Sequence, residues 1–180
     1  MGRLVYLVGA SGVGKDTLLD AARLRHPEWL VAHRYVTRES GASENSVALS
    51  PAEFAARDRS GLFCLSWEAH GLAYGLGIEL EAWLARGATV LVNGSRRALP
   101  QARQRLGESL LPVMVTAPED VLRKRLHQRG RESESQIEER LARHRQLQEA
   151  LPEVMRIDNG GPLMASLNTL GRLLEREVPA

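Results

Sequence analysis

At 180 residues, with 43% hydrophobic and 26% charged, the chain is long enough for one buried core. A net charge of +2 and an aromatic content of 4% speak against a nucleic-acid surface or a base-stacking platform. No apolar run approaches the roughly 20 residues of a membrane helix, no signal-peptide cleavage pattern follows the first strand-like run, and the lone Cys64 rules out an intrachain disulfide. The sequence therefore reads as a single cytoplasmic domain, 1–180, without membrane or nucleic-acid partners.

The run "RLVYLV" (3–8) is short, β-branched and nearly all apolar, which predicts a strand buried on both faces. A glycine loop follows, and then "KDTLLDAARLR" (15–25), with Leu18, Leu19 and Ala22 at helical spacing. "LVAHRYVTR" (30–38) predicts one strand, and "ESGASENS" (39–46) a loop. A short helix begins at Ser50 as N-cap, with Pro51 in its first turn, Glu53 completing a capping box and Gly61 as its stop. Residues 62–77 predict a strand and hairpin, with Cys64 a small buried hydrophobe, and 78–87 a helix ending at Gly87. "ATVLVN" (88–93) and "LLPVMVT" (110–116) are further buried strands. Two helices follow over 117–130 and 135–148, the second with Ser135 and Glu138 as a capping box. A last strand spans 154–159, and a closing helix carries Leu163, Leu167, Leu170 and Leu174 on one side. Buried strands alternating with helices predict an α/β fold with a parallel sheet flanked by helices. The polar stretch 33–76 and the Arg-rich stretch 123–145 read as excursions from that core, an acceptor-binding arm and a lid. No Cys/His cluster has zinc spacing, and His127 and His144 read as solvated residues on surface helices.

The stretch "GASGVGKDT" (9–17) sits between the first strand and the first helix, where a phosphate-binding loop belongs. Its glycines let successive backbone N–H groups turn inward, and the helix adds its positive end. The binding candidates are Gly9, Ala10, Ser11, Gly12, Val13, Gly14, Lys15, Asp16 and Thr17. Of the 24 basic residues only Lys15 and Lys124 are lysines, so a lysine at the position that must place a compact ammonium on phosphate stands out against an arginine background. The usual pattern has Ser or Thr directly after the lysine; here Asp16 intervenes before Thr17.

"GASGVGKDTLL" resembles the loop of nucleoside-monophosphate kinases, whose pattern is G-K-x-[ST]. "VTRESG", "ENSVALS", "GLFCLSWEAHGLAYGLG" and "RLHQRGRESESQIEERLAR" follow the order and spacing of guanylate kinase. The resemblance implies a P-loop kinase fold using ATP and Mg2+. Departures argue against guanylate as substrate. Leu65 matches the glutamate that reads guanine, Asn93 and Ser95 stand where acids are expected, and Gly41 and Ser46 replace a phosphate-binding Arg and Tyr. With "VNGSRRALPQAR" and "DNGGPL", the chain is more similar to the ribose 1,5-bisphosphate phosphokinases of phosphonate catabolism. That resemblance implies phosphoryl transfer from ATP to the 1-phosphate of a bisphosphorylated sugar, giving 5-phosphoribosyl 1-diphosphate.

The implied substrate contacts are Arg34, Arg38, Tyr74, Asn93, Ser95 and Arg96, with His33 and His70 nearby. Lys15, Asp16, Arg129 and Arg140 are the implied catalytic set, with Arg125 and Arg131 beside them on the lid. Asn159 of "IDNGGPL" is a candidate contact to adenine. Asp16 and Thr17 are the candidate Mg2+ ligands; the plainer roles for Asp16 are to favour the helix N-terminus or to pair with an arginine. The nucleophile is already an anion, so no general base is required. Rival readings are another nucleoside-monophosphate or small-molecule kinase, guanylate kinase included, and a non-catalytic binding module, which has no use for a glycine loop with its lysine. Oligomeric state stays open, a homodimer being one option.

Overall fold

A computed structural model describes residues 2–39 and 45–176. The elements run β1 (Arg3–Val8), α1 (Lys15–Arg25), β2 (Trp29–Ala32), β3 (Arg34–Val36), β4 (Ser46–Ala48), α2 (Pro51–Arg59), β5 (Phe63–Ala69), β6 (Leu72–Gly77), α3 (Glu79–Ala85), β7 (Thr89–Asn93), α4 (Leu99–Leu106), β8 (Leu110–Thr116), α5 (Glu119–Arg129), α6 (Glu134–Ala150), β9 (Met155–Asp158) and α7 (Leu163–Arg176).

Among the described residues five strands form a parallel sheet in the order β2-β7-β1-β8-β9. β1 lies at its centre, and its side chains alternate between two cores. Val5 and Leu7 join Leu18, Leu19, Leu122, Leu167 and Leu170 on one face. Leu4, Tyr6 and Val8 join Leu76, Leu80, Val90 and Leu99 on the other. This alternation is why the strand reads as an unbroken apolar run: both faces are covered by helices or by the second sheet.

The second sheet, in the order β4-β3-β6-β5, carries the polar excursion. β3 pairs parallel with β4 and antiparallel with β6, and β5 and β6 form a hairpin. The hairpin turn is His70–Gly71, both with positive φ (54° and 74°), the twist that matches a two-residue connection. Phe54 of α2 stacks on Phe63 of β5 to close a small core with Leu49.

Several expectations are corrected. The single strand predicted over 30–38 breaks at His33: Ala32 pairs with Val92 in the large sheet, while Arg34 pairs with Ser46 in the small one. The pattern of alternation carries across the break and hides it. α4 was not expected; Pro100 in its first turn and buried Leu99 and Ala102 are its signals. The capping box of α6 is Ser133 with Gln136, because the helix starts at Glu134 rather than beyond Ser135. At α2, Ser50 accepts from the Glu53 N–H, but the Glu53 carboxylate turns to Arg57 (2.9 Å), so only half the box forms. His144 is buried, 1% exposed, with Nε2 3.1 Å from the Ala117 carbonyl oxygen, and burial holds its pKa down. Cys64 is buried as expected, and burial pushes its thiol up to about 11. Gly41 lies outside the described residues.

Candidate active site

The loop between β1 and α1 opens at the C-terminal edge of the parallel sheet, where ligands of open α/β sheets bind. Gly14 caps α1 at φ 94°, and a Cβ there would come within 2.6 Å of Asn159 Nδ2, so the position needs glycine twice over. The loop is fastened from behind. Asn159 donates through Nδ2 to the Val13 carbonyl (2.7 Å) and accepts at Oδ1 from the Ser166 hydroxyl (2.7 Å). Arg125 donates to the carbonyls of Val13 (3.3 Å) and Asn159 (2.7 Å).

Lys15 donates through Nζ to the carbonyls of Gly9 (2.6 Å) and Ala10 (3.1 Å), at the mouth of the loop. Burial pushes its pKa down to about 8; Arg34 and Arg129 push the same way and Asp16 opposes them. An ammonium so placed gains most from an arriving anion.

Asp16 accepts at Oδ2 from Asn93 Nδ2 (3.2 Å) and at Oδ1 from the side-chain amide (3.2 Å) and backbone N–H (3.4 Å) of Asn45. The expected alternative of an arginine partner is replaced by amides. Beyond β7 the chain is fixed by Tyr6, whose hydroxyl donates to the Ser95 carbonyl (3.0 Å) and accepts from the Ser95 N–H (2.8 Å). A Cβ on Gly94 would lie 2.3 Å from the Tyr6 ring, so only glycine passes there. Burial raises the Tyr6 phenol to about 12.

These elements surround a hollow of about 570 Å³. Among the described residues its walls include Lys15, Arg34, Arg38, Arg96, Arg129 and Arg131, six cations against the two carboxylates Asp16 and Asp20. Gly9, Ser11, Gly12, Gly14, Thr17, His70, Tyr74, Asn93 and Ser95 also line it. Trp67 stacks on Tyr74 (centroids 5.6 Å, planes 9° apart), and the Arg34 guanidinium lies 5.4 Å from the Tyr74 ring centre. A smaller adjoining hollow of about 350 Å³ is lined by Gly12, Gly14, Thr17, Arg125, Gln128, Arg129, Asn159 and Leu163.

Three relatives called Ribose 1,5-bisphosphate phosphokinase PhnN align over nearly the whole chain. That of Pectobacterium parmentieri is 50% identical over 177 residues, 97% of this chain and 94% of the relative. That of Desulfomicrobium baculatum is 49% identical over 183 residues (99% and 97%), and that of Yersinia pestis 48% over 182 (99% and 94%). The chain belongs to the ribose 1,5-bisphosphate phosphokinase family. Its fold is that of guanylate kinase: the enzyme from Anaplasma phagocytophilum matches with a TM-score of 0.73, covering 98% of this chain and 86% of that one at 16% identity. No protein-family model matches the chain.

In this phosphokinase-family chain the structure brings together all but a few of the residues singled out from sequence. Ala10 and Val13 contribute their carbonyls and do not line the large hollow. Arg140 is in an ion pair with Glu132 (2.9 Å) and lines neither hollow. Asn159 lines the small hollow, with its side chain already engaged in fastening the loop. Leu65 is 1% exposed within the core; Trp67, two residues on and on the same strand face, reaches the wall instead. Sequence reasoning missed Tyr6, Asn45, Trp67 and Gly94. Tyr6 carried a signal, since a phenol in a buried strand needs a partner for its hydroxyl.

Proposed function

We propose that this chain transfers the γ-phosphoryl group of ATP to the 1-phosphate of ribose 1,5-bisphosphate, forming 5-phosphoribosyl 1-diphosphate and ADP. The observation that carries this reading is the cation-rich hollow beside Lys15, with Asn93 and Ser95 offering neutral groups where a purine-reading site would place acids. A small acceptor with a phosphate at each end suits such a wall, because arginine forks bind phosphate bidentately.

The roles follow from position. Lys15 leaves the Gly9 and Ala10 carbonyls for the donor phosphates, joined by the loop N–H groups at the start of α1. Arg34, Arg38 and Arg96 hold the acceptor phosphates. Arg129 lines both hollows, between donor and acceptor, where negative charge gathers in transfer. We read 33–76 as the acceptor arm and 123–145 as the lid, with Arg140 and Arg131 entering on closure. The smaller hollow takes the adenosine end, and Asn159 keeps its floor in place.

The donor set fits a magnesium ion. Among the described residues no three His, Cys, Asp or Glu side chains gather, so an ion would rest on Thr17 Oγ1, Asp16 and phosphate oxygens, an arrangement magnesium favours. Among the described residues Asp16 meets amide donors, which leaves its charge for a cation. Bound there, the ion would neutralise charge on the donor phosphates.

Among the described residues no helix is long and apolar enough to cross a membrane. An ATP-dependent reaction on a phosphosugar belongs in the cytoplasm. A second reading, a nucleoside-monophosphate kinase, draws on Trp67, whose ring offers a base a stacking face. Incubating the purified chain with ATP, Mg2+ and either ribose 1,5-bisphosphate or GMP, followed by phosphorus NMR, separates them. A diphosphate signal from the sugar alone supports the first reading; turnover of GMP alone overturns it.

A further inference from the structure

Among the described residues, the buried side chain of Asn45 joins the acceptor arm to the start of α1 beside the phosphate loop. Asn45 is 4% exposed, and each of its polar atoms has a partner. Its Nδ2 donates to Asp16 Oδ1 (3.2 Å) and Asp20 Oδ1 (3.3 Å), and its backbone N–H to Asp16 Oδ1 (3.4 Å). Its Oδ1 accepts from Arg23 Nη2 (2.6 Å), and its backbone carbonyl from the Arg34 N–H (3.0 Å).

An amide suits this place because it offers two donors and an acceptor on one rigid plane. The donors face two carboxylates and the acceptor faces a guanidinium. Aspartate at 45 would set a third carboxylate beside Asp16 and Asp20; alanine would strip partners from all three α1 side chains.

The chain of contacts runs from the phosphate cradle to the acceptor wall. Lys15 adjoins Asp16, Asp16 binds Asn45, and Asn45 holds the backbone of Arg34, which lines the hollow. Asn93 ties the opposite wall to the same carboxylate. Asn45 does not itself line the hollow, so any effect on the acceptor passes through Asp16 and Arg34.

We propose that Asn45 is a positioning residue for the phosphoryl acceptor, keeping the acceptor arm in register with the phosphate loop through Asp16. This rests on the kinase reading above. Transfer is steep in the placement of the reacting groups, so a loosened arm costs acceptor binding and turnover while the donor cradle stays whole.

The test uses Asn45→Ala and Asn45→Asp. Both variants are expected to raise the KM for ribose 1,5-bisphosphate by about tenfold or more. Their Kd for a non-hydrolysable ATP analogue stays within about threefold of wild type. Acceptor KM values unchanged in both variants overturn the proposal. So does a loss of ATP-analogue affinity equal to the loss in acceptor KM, which marks general damage. If Asn45→Ala does not fold, Asn45→Asp carries the same expectations. A wild type that fails to phosphorylate ribose 1,5-bisphosphate refutes the function, not the junction. The junction is then decided by hydrogen exchange over 34–36 and 45–48 without substrate. Faster exchange in the variants than in wild type supports it; wild-type exchange rates in both variants overturn it.

Discussion

Asn93 Nδ2 donates to Asp16 Oδ2 at 3.2 Å, joining the last residue of β7 to the first turn of α1. A carboxylate at 93 would face Asp16 at that distance; the amide turns a repulsion into a hydrogen bond. The two departures from the common kinase pattern, an acid after the loop lysine and an amide at the end of β7, meet in this one hydrogen bond.

If Asp16 serves the metal, its neutral isostere should bind magnesium more weakly. Asp16→Asn is expected to raise the magnesium concentration for half-maximal activity by about tenfold, the usual cost of losing a ligand or its immediate support. Activity titrated against magnesium at saturating ATP decides it: an unchanged half-saturation point removes the metal role and leaves the contacts to Asn45 and Asn93.

Lys15 gives a pH prediction with a definite sign. Its pKa in the free protein is pushed down to about 8, first by burial and then by Arg34 and Arg129. Bound phosphates raise it again. Below pH 8 the ammonium is already charged and binding takes up little proton. Above pH 8 the complex holds a proton that the free protein lacks, so affinity for ATP falls as pH rises. Calorimetry in buffers of different ionisation enthalpy at pH 8.5 should show net proton uptake on binding an ATP analogue, and Lys15→Met should abolish it. Uptake that persists in the variant points to another group.

The parts legible in the sequence are those built from near neighbours. β1, the loop and α1 show in a stretch of two dozen residues because alternation, glycine spacing and helical period are local. What stayed hidden is long-range. Tyr6 and Ser95 are 89 positions apart, and Asn45 and Asp16 are 29 apart, so neither pair leaves a local trace. The switch of sheets at His33 is invisible because β2 and β3 share one strand pattern. His144 reads as solvated among charged neighbours; Ala117, in the connection between β8 and α5, supplies the carbonyl that lets it be buried. The arginines are legible as a class of phosphate-binding candidates, while which of them face the hollow depends on the fold.

Tyr6→Phe tests the anchor of the Ser95 loop. The substitution removes one hydroxyl and leaves the Ser95 N–H and carbonyl without that partner. The expected loss of stability is about 1–3 kcal/mol, read from urea unfolding at constant m-value. The acceptor KM should rise with it, because Arg96 and Ser95 share the released segment. A variant as stable as wild type with an unchanged acceptor KM would show that the loop holds itself.

Arg129 and Arg140 were both expected to act on the transferring group, and the structure separates them. Arg129 lines both hollows, while Arg140 is paired with Glu132. A guanidinium between donor and acceptor stabilises charge that develops only during transfer, so its loss should fall on kcat. Arg129→Ala is expected to lower kcat by about 10²–10³-fold with both KM values within about threefold of wild type. Arg140 must leave Glu132 before it can act, so Glu132→Gln, which weakens that ion pair, should not impair turnover if Arg140 enters on closure. Steady-state kinetics of the two variants make the comparison. An Arg129→Ala enzyme with wild-type kcat and a raised KM for ATP would move that residue from transfer to donor binding.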